Sequence, residues 1–163
     1  MSYKAFIGIG SNLGVPVENC EKAIRLLAAT PKIEVVTQSC LYESEPVGKV
    51  DQNWFVNAVV AIRTSLTPES LLKTILTIEK DFGRERREKW GPRIIDLDLL
   101  MYEDLVSRSN HLTIPHPEMT KRRFVLLPLS EFAGEILHPL ENKTILDLLE
   151  VLPQTPQVNK ISR

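Results

Sequence analysis

Two kinds of hydrophobic spacing alternate along the N-terminal part of the chain, and their order leaves few folds open. Residues 4–9 form a short apolar run, as in a strand, followed by the turn-forming cluster Gly10-Ser11-Asn12-Leu13-Gly14. Val17, Cys20, Ile24, Leu27 and Ala28 then recur at helical spacing behind Pro16, which predicts an amphipathic helix ending near Ala29. Residues 33–41 alternate as a second strand, residues 44–53 with Pro46 and Gly48 read as a polar loop, and residues 55–62 are the apolar, β-branched third strand. Thr67 and Pro68 supply an N-cap and a first position for a second helix. Leu71, Leu72, Ile75, Ile78 and Phe82 form its stripe, and Gly83 stops it. From Ile94 an apolar run resumes as a fourth strand. The order βαββαβ is the ferredoxin-like one. The predicted class is therefore α+β, an antiparallel sheet with two helices packed on one face, plus C-terminal helices at residues 123–132 and 144–150. The other face must be covered by something added, or be used.

Most of the chemistry is concentrated in residues 83–101, GRERREKWGPRIIDLDLLM. Gly83 and the Gly91-Pro92 break make its first part a loop, and residues 94–101 a buried strand. Side chains alternate faces along a strand, so Ile95, Leu97 and Leu99 share one face and Asp96 and Asp98 the other. Two carboxylates about 6–7 Å apart along a strand can grip hard cations together, and magnesium favours one or two carboxylates plus substrate phosphates. Arg84, Arg86, Arg87, Lys89 and Arg93 lie just upstream and suit those phosphates, Arg as a planar fork and Lys as a point charge. Taken singly, an Asp-x-Asp pair reads as a solvated strand face, the charge run as a wet loop and Trp90 as a lid over a core. Their order within one short span points instead to a metal-bound polyphosphate.

Bulk properties exclude several classes. At 163 residues, 43% hydrophobic and 25% charged, the chain reads as one soluble domain, 1–163, with residues 153–163 expected to be a loose tail. A net charge of -1 gives no pull toward nucleic acid or membrane, and no apolar run has transmembrane length. An RNA-binding module on this fold would show stacking aromatics on the sheet, where this strand carries aspartates. Cys20 and Cys40 form no Cys-x-x-Cys and read as reduced packing residues, hence a cytoplasmic protein. The start, MSYKAFIGIG, lacks the shape of a signal peptide. A monomer is expected, since no association stripe is left over. Gly8-x-Gly10-x-x-x-Gly14 has the wrong spacing for a dinucleotide fingerprint and there is no P-loop, so these glycines read as a tight turn able to approach a ligand backbone-first. Asn57, on the same strand face as Phe55, reads from its residues alone as a satisfied core amide, and Phe124 as a core anchor beside solvated Arg122 and Arg123. His116, between two prolines, reads as a rigid-loop residue able to touch a phosphate.

Several motifs together resemble one family. They are Gly8-x-Gly10-Ser11-Asn12-Leu13-Gly14, Tyr42-x-Ser44-x-Pro46-x-Gly48, Phe55-x-Asn57-Ala58 and Gly83-Arg84 leading to Trp90-Gly91-Pro92-Arg93-x-x-Asp96-x-Asp98. Pro115-His116 with Met119 and Arg122-x-Phe124-x-x-x-Pro128 complete the set. The chain resembles the 6-hydroxymethyl-7,8-dihydropterin pyrophosphokinases of folate biosynthesis. That resemblance implies transfer of the β,γ-pyrophosphoryl group of ATP to the pterin hydroxymethyl oxygen, leaving AMP. It implies two Mg²⁺ on Asp96 and Asp98, and Arg84 and Arg93 clamping the phosphates with Arg87 as a further cation. It places Leu99, Thr113, His116, His111 and Arg122 on the nucleotide, and Trp90 on a loop closing over the site. Ser44 and Val47 by backbone, Asn57 by its amide, and Phe55 and Phe124 by stacking would hold the pterin. Three positions depart from the family's pattern: His111 stands where Arg is common, Pro117 replaces a frequent Tyr, and Leu76 stands where a polar residue is usual.

Overall fold

Apart from its two glycines, the buried part of strand β1 (Tyr3–Ser11) is almost wholly apolar, and it is buried from Ala5 to its end. Only a central strand covered on both faces can bury such a run. A computed structural model of the chain describes residues 1–48, 51–82 and 94–161 and places β1 there. It pairs antiparallel with β4 (Phe55–Thr64) on one side and β5 (Asp96–Tyr102) on the other. The far edge of β4 is shared by β2 (Ile33–Gln38) and β3 (Tyr42–Ser44). The core order β5-β1-β4-β2 is that of the ferredoxin-like fold, as the element sequence predicts.

Strand alternation divides the sheet between two cores. Ala5, Ile7 and Ile9 of β1, Ile62 of β4 and Leu97 and Leu99 of β5 pack under α1 (Pro16–Ala29) and α2 (Pro68–Phe82), through Leu27, Leu71 and Ile75 among others. Thr67 caps α2 as expected, its Oγ1 accepting from the Ser70 N–H at 3.2 Å. Phe6, Val59, Ala61 and Met101 point the other way, under α3 (Arg123–Ala133) and α4 (Ile145–Glu150). Those two C-terminal helices cover only part of that face. A β-bulge where Phe6 faces Met101 and Ile7 faces Leu99 leaves both Leu100 and Met101 in the second core. Replacing Ile7 by alanine at the 0% exposed centre of β1 is expected to cost about 2–5 kcal/mol of stability, read by urea unfolding. A shift below about 1 kcal/mol would mean that the site collapses around the lost atoms.

Three expectations need correction. The second strand does not run through residues 33–41. The Ser39 N–H still donates to the Val59 carbonyl, but the Val59 N–H turns to Ser39 Oγ and the Cys40 N–H to the Glu131 carboxylate, so the ladder breaks there and pairing resumes only at β3. Cys40 is consequently exposed rather than packed, while Cys20 is buried, and burial pushes its thiol up to about 12. Residues 153–163 are not simply loose: β8 (Val158–Lys160) adds to the outer edge of β3. Two short strands, β6 (Ser107–Arg108) and β7 (Thr113–Ile114), form a separate hairpin. Among the described residues no helix is long and apolar enough to cross a membrane.

Candidate functional site

The part of the second face that α3 and α4 leave open is a cavity of about 860 Å³. Its floor follows from register. Asp98 lies opposite Gly8 and Asp96 opposite Gly10, and across β1 those glycines face Val59 and Asn57. Directly opposed residues of an antiparallel pair project to the same side. The rows Asp98–Gly8–Val59 and Asp96–Gly10–Asn57 therefore share the cavity face, and each has a gap at its centre where a side chain is missing. This corrects the reading of the glycine cluster. Gly8 lies in the strand expected over residues 4–9, Gly10 continues that strand instead of opening the turn, and of the three only Gly14 takes the left-handed conformation, with φ 65°. A Cβ on Gly10 would sit 3.1 Å from Asn57 Nδ2, tighter than ordinary contact, so the close approach of floor and amide depends on glycine there.

Asp96 and Asp98 are both half-buried and both line the cavity, on the opposite side of β5 from Leu97 and Leu99. The backbone between them is pinned, the Leu97 N–H donating to Glu79 Oε2 at 2.8 Å. Two hard carboxylate donors side by side in the cavity lining fit a magnesium ion whose remaining ligands come from phosphates and water. His116 stands nearby. Its backbone N–H donates to the Leu100 carbonyl at 2.8 Å, and its Nδ1 accepts from the Glu118 N–H at 3.1 Å. Burial holds its pKa below the ordinary imidazole value, Arg122 pushes the same way, and Asp98 and Glu118 oppose them. With Nδ1 accepting, a neutral ring carries its proton on Nε2. Helix α3 begins at the cavity wall, where Arg122, Arg123 and Phe124 line it together with Lys121. The positive end of its dipole and these cations put positive potential in the same cavity as the aspartates. The Arg122 guanidinium lies 5.6 Å from the centre of the Phe124 ring.

At the other end, Ser44 Oγ donates to Asn57 Oδ1 at 2.5 Å, and both side chains are buried. Asn57 is thus half satisfied by the protein. Among the described residues nothing accepts from its amide nitrogen, which faces Gly10. Phe55 and Val47 line the same end. Of the residues singled out from sequence, the fold brings Ser44, Val47, Phe55, Asn57, Asp96, Asp98, Leu99, Thr113, His116, Arg122 and Phe124 to this one cavity. His111 is not among the lining residues and is exposed between β6 and β7. Gly83, Arg84, Arg86, Arg87, Lys89, Trp90, Gly91, Pro92 and Arg93 lie outside the described residues. Sequence reasoning did not anticipate Lys121, Pro156 or Val158 in the wall; Lys121 adjoins the Arg122 motif, whereas the C-terminal pair gave no signal.

Fold and cavity together define a ferredoxin-like α+β protein with a large cavity on the half-covered face of its sheet. The comparisons with known proteins narrow that class. The model of the family described as 7,8-dihydro-6-hydroxymethylpterin-pyrophosphokinase (HPPK) matches residues 6–134. The chain belongs to that family. It is 46% identical over 134 residues to a Methylorubrum extorquens protein named 2-amino-4-hydroxy-6-hydroxymethyldihydropteridine pyrophosphokinase, covering 82% of this chain and 85% of that one. A Haemophilus influenzae protein of the same name is 42% identical over 135 residues, covering 83% and 84%. In fold the chain is similar to the Plasmodium falciparum HPPK-DHPS crystallised with pteroate, at a TM-score of 0.72 and 18% identity. That alignment covers 92% of this chain and 42% of that longer one.

Proposed function

We propose that this chain transfers the pyrophosphoryl group of ATP to 6-hydroxymethyl-7,8-dihydropterin, forming the pterin diphosphate and AMP in folate biosynthesis. The observation that carries this reading is the convergence, in a member of this family, of an acidic pair and a half-satisfied amide on one cavity floor. Asp96 and Asp98 sit two strand spacings, about 10 Å, from Asn57 across β1. A pterin held at Asn57 can therefore present its hydroxymethyl arm toward phosphates held near the aspartates.

Asp96 and Asp98 would hold Mg²⁺, two ions by the family resemblance, which when bound neutralise phosphate charge and align oxygens for displacement. The chain's own residues do the rest. Lys121, Arg122, Arg123 and the start of α3 attract the triphosphate, and His116 Nε2–H donates to one of its oxygens or to the ribose. Leu99 and Thr113 flank the nucleotide, and His111 reaches it only from outside the cavity wall. By the family resemblance, Arg84, Arg87 and Arg93 would clamp the phosphates and Trp90 would cover them. Phe55 and Phe124 stack on the pterin, and Ser44, Val47 and Asn57 pair with its donor and acceptor edge. The pterin hydroxyl oxygen bonds to the β-phosphorus, the bond from that phosphorus to the α,β-bridging oxygen breaks, AMP leaves with that oxygen, and the hydroxyl proton is released. Such transfers depend on positioning and charge neutralisation. We read the chain as a single monomeric domain acting in the cytoplasm on small molecules, without nucleic acid or membrane partners.

The test is chromatography of nucleotides after incubation with ATP, Mg²⁺ and the pterin. AMP formed only when metal and pterin are both present is the expected result. ADP, or AMP formed without pterin, would assign the site to another transferase.

A further inference from the structure

The outer wall of the cavity comes from the C terminus. Ser44 pairs with Phe55 on one side and with Val158 on the other. Phe55, Ser44 and Val158 therefore form one row on the cavity side of the sheet, and all of them line the cavity. Pro156 lines it too, two residues before Val158.

The segment is fastened along its length. The Glu45 N–H donates to the Gln157 carbonyl at 3.0 Å, and the Gln157 N–H returns to Glu45 Oε1 at 2.5 Å. The Ile161 N–H donates to the Leu41 carbonyl at 2.8 Å. Strand β3 has three residues, and β8 keeps it from being the sheet's exposed edge. Ser44 is thus held between two neighbours, and its hydroxyl is the donor that orients Asn57.

Sheet order sets what Val158 can influence. From β5, which carries the aspartates, to β8 there are four strand steps, β5-β1-β4-β3-β8, or about 19 Å. Val158 is remote from the phosphates and next to the ring-binding row. We infer that Val158 is a specificity-determining contact for the flat heterocyclic substrate, closing the pocket at the ring edge opposite the reacting arm. The inference rests on the pterin pyrophosphokinase reading. It assigns the C-terminal strand a selective role in holding the acceptor and none in holding the nucleotide.

Val158→Ala and Val158→Trp in the full-length chain test it. Two affinities are measured on each protein: that for 6-hydroxymethylpterin, by its fluorescence, and that for α,β-methylene-ATP with Mg²⁺, by calorimetry. Val158→Trp and Val158→Ala are each expected to weaken pterin binding about tenfold or more, since one methylene in an apolar pocket is worth roughly tenfold upward. Nucleotide affinity stays within about twofold in both. Val158 is half-buried on an edge strand, so the alanine variant keeps its fold and remains informative if the tryptophan variant does not. Unchanged pterin affinity in the alanine variant, or equal loss of both ligands, overturns the inference alone. A wild-type chain that binds the nucleotide but not the pterin overturns the functional reading and the inference with it.

Discussion

Replacing Asp98 by alanine is expected to lower pyrophosphoryl transfer by about three orders of magnitude while leaving the fold intact, since loss of one well-placed charge stabiliser alone costs about 10²–10³. Asp98 is half-buried, lies opposite a glycine and faces the open cavity, so truncation removes charge without cutting into either core. A structural carboxylate would show a different signature from a metal ligand. Without metal, two aspartates repel a polyphosphate; with metal, they hold it. Asp98→Ala should therefore bind ATP more tightly than the parent when Mg²⁺ is chelated, and should lose most of the gain that Mg²⁺ confers on the parent. Calorimetric titration with and without Mg²⁺ reads both. Turnover within tenfold of the parent, with an unaltered response to Mg²⁺, would sink the carboxylate-pair reading.

The strand that carries Asp98 was legible from sequence because its information is local. Apolar and acidic residues alternate from Ile95 to Leu99, and period two alone puts the aspartates on the face away from α1 and α2. Strand β4 was equally plain, and so was α2 with Thr67 as its cap. What escaped depends on partners far along the chain. The break between β2 and β3 depends on Glu131, 91 residues after the Cys40 N–H that it accepts from. Likewise β8 exists only through β3, and the nearby Gln157 N–H donates to a glutamate 112 residues earlier. A stretch such as Pro153-Gln154-Thr155-Pro156 has the composition of a coil, and no local period shows that an edge awaits it. The glycines failed differently. Gly10 looks like a turn former, yet its use here, like that of Gly8 within the expected strand, is the absent side chain, which clears the floor between the aspartates and Asn57.

Asn57 is where the local and functional readings diverge most, and its substitution by leucine separates them. A buried asparagine in an apolar strand is most simply a satisfied core amide, and the Ser44 hydroxyl does satisfy its oxygen at 2.5 Å. Its nitrogen is the part the core does not use, and it faces the cavity floor at Gly10. Leucine matches the size of asparagine but offers no donor or acceptor. It strands the Ser44 hydroxyl, at 2% exposed, at a cost of about 1–3 kcal/mol offset in part by the added apolar contact. If Asn57 is only structural, that is the whole effect, and kcat/KM per folded molecule is unchanged. If its amide reads the pterin, bound pterin also loses its partner, and sites built to hydrogen-bond a substrate discriminate by about 10⁴. The expected result is a fall of about 10²–10⁴ in kcat/KM for the pterin, with the affinity for ATP unchanged, because Asn57 lies two strands from the aspartates. Asn57→Asp sharpens the comparison. It keeps the acceptor for Ser44 and replaces the donor with a second oxygen; burying that carboxylate costs some stability, so kcat/KM is again taken per folded molecule, and the loss of the pterin is expected to persist. An Asn57→Asp protein with parental kcat/KM would return Asn57 to the core.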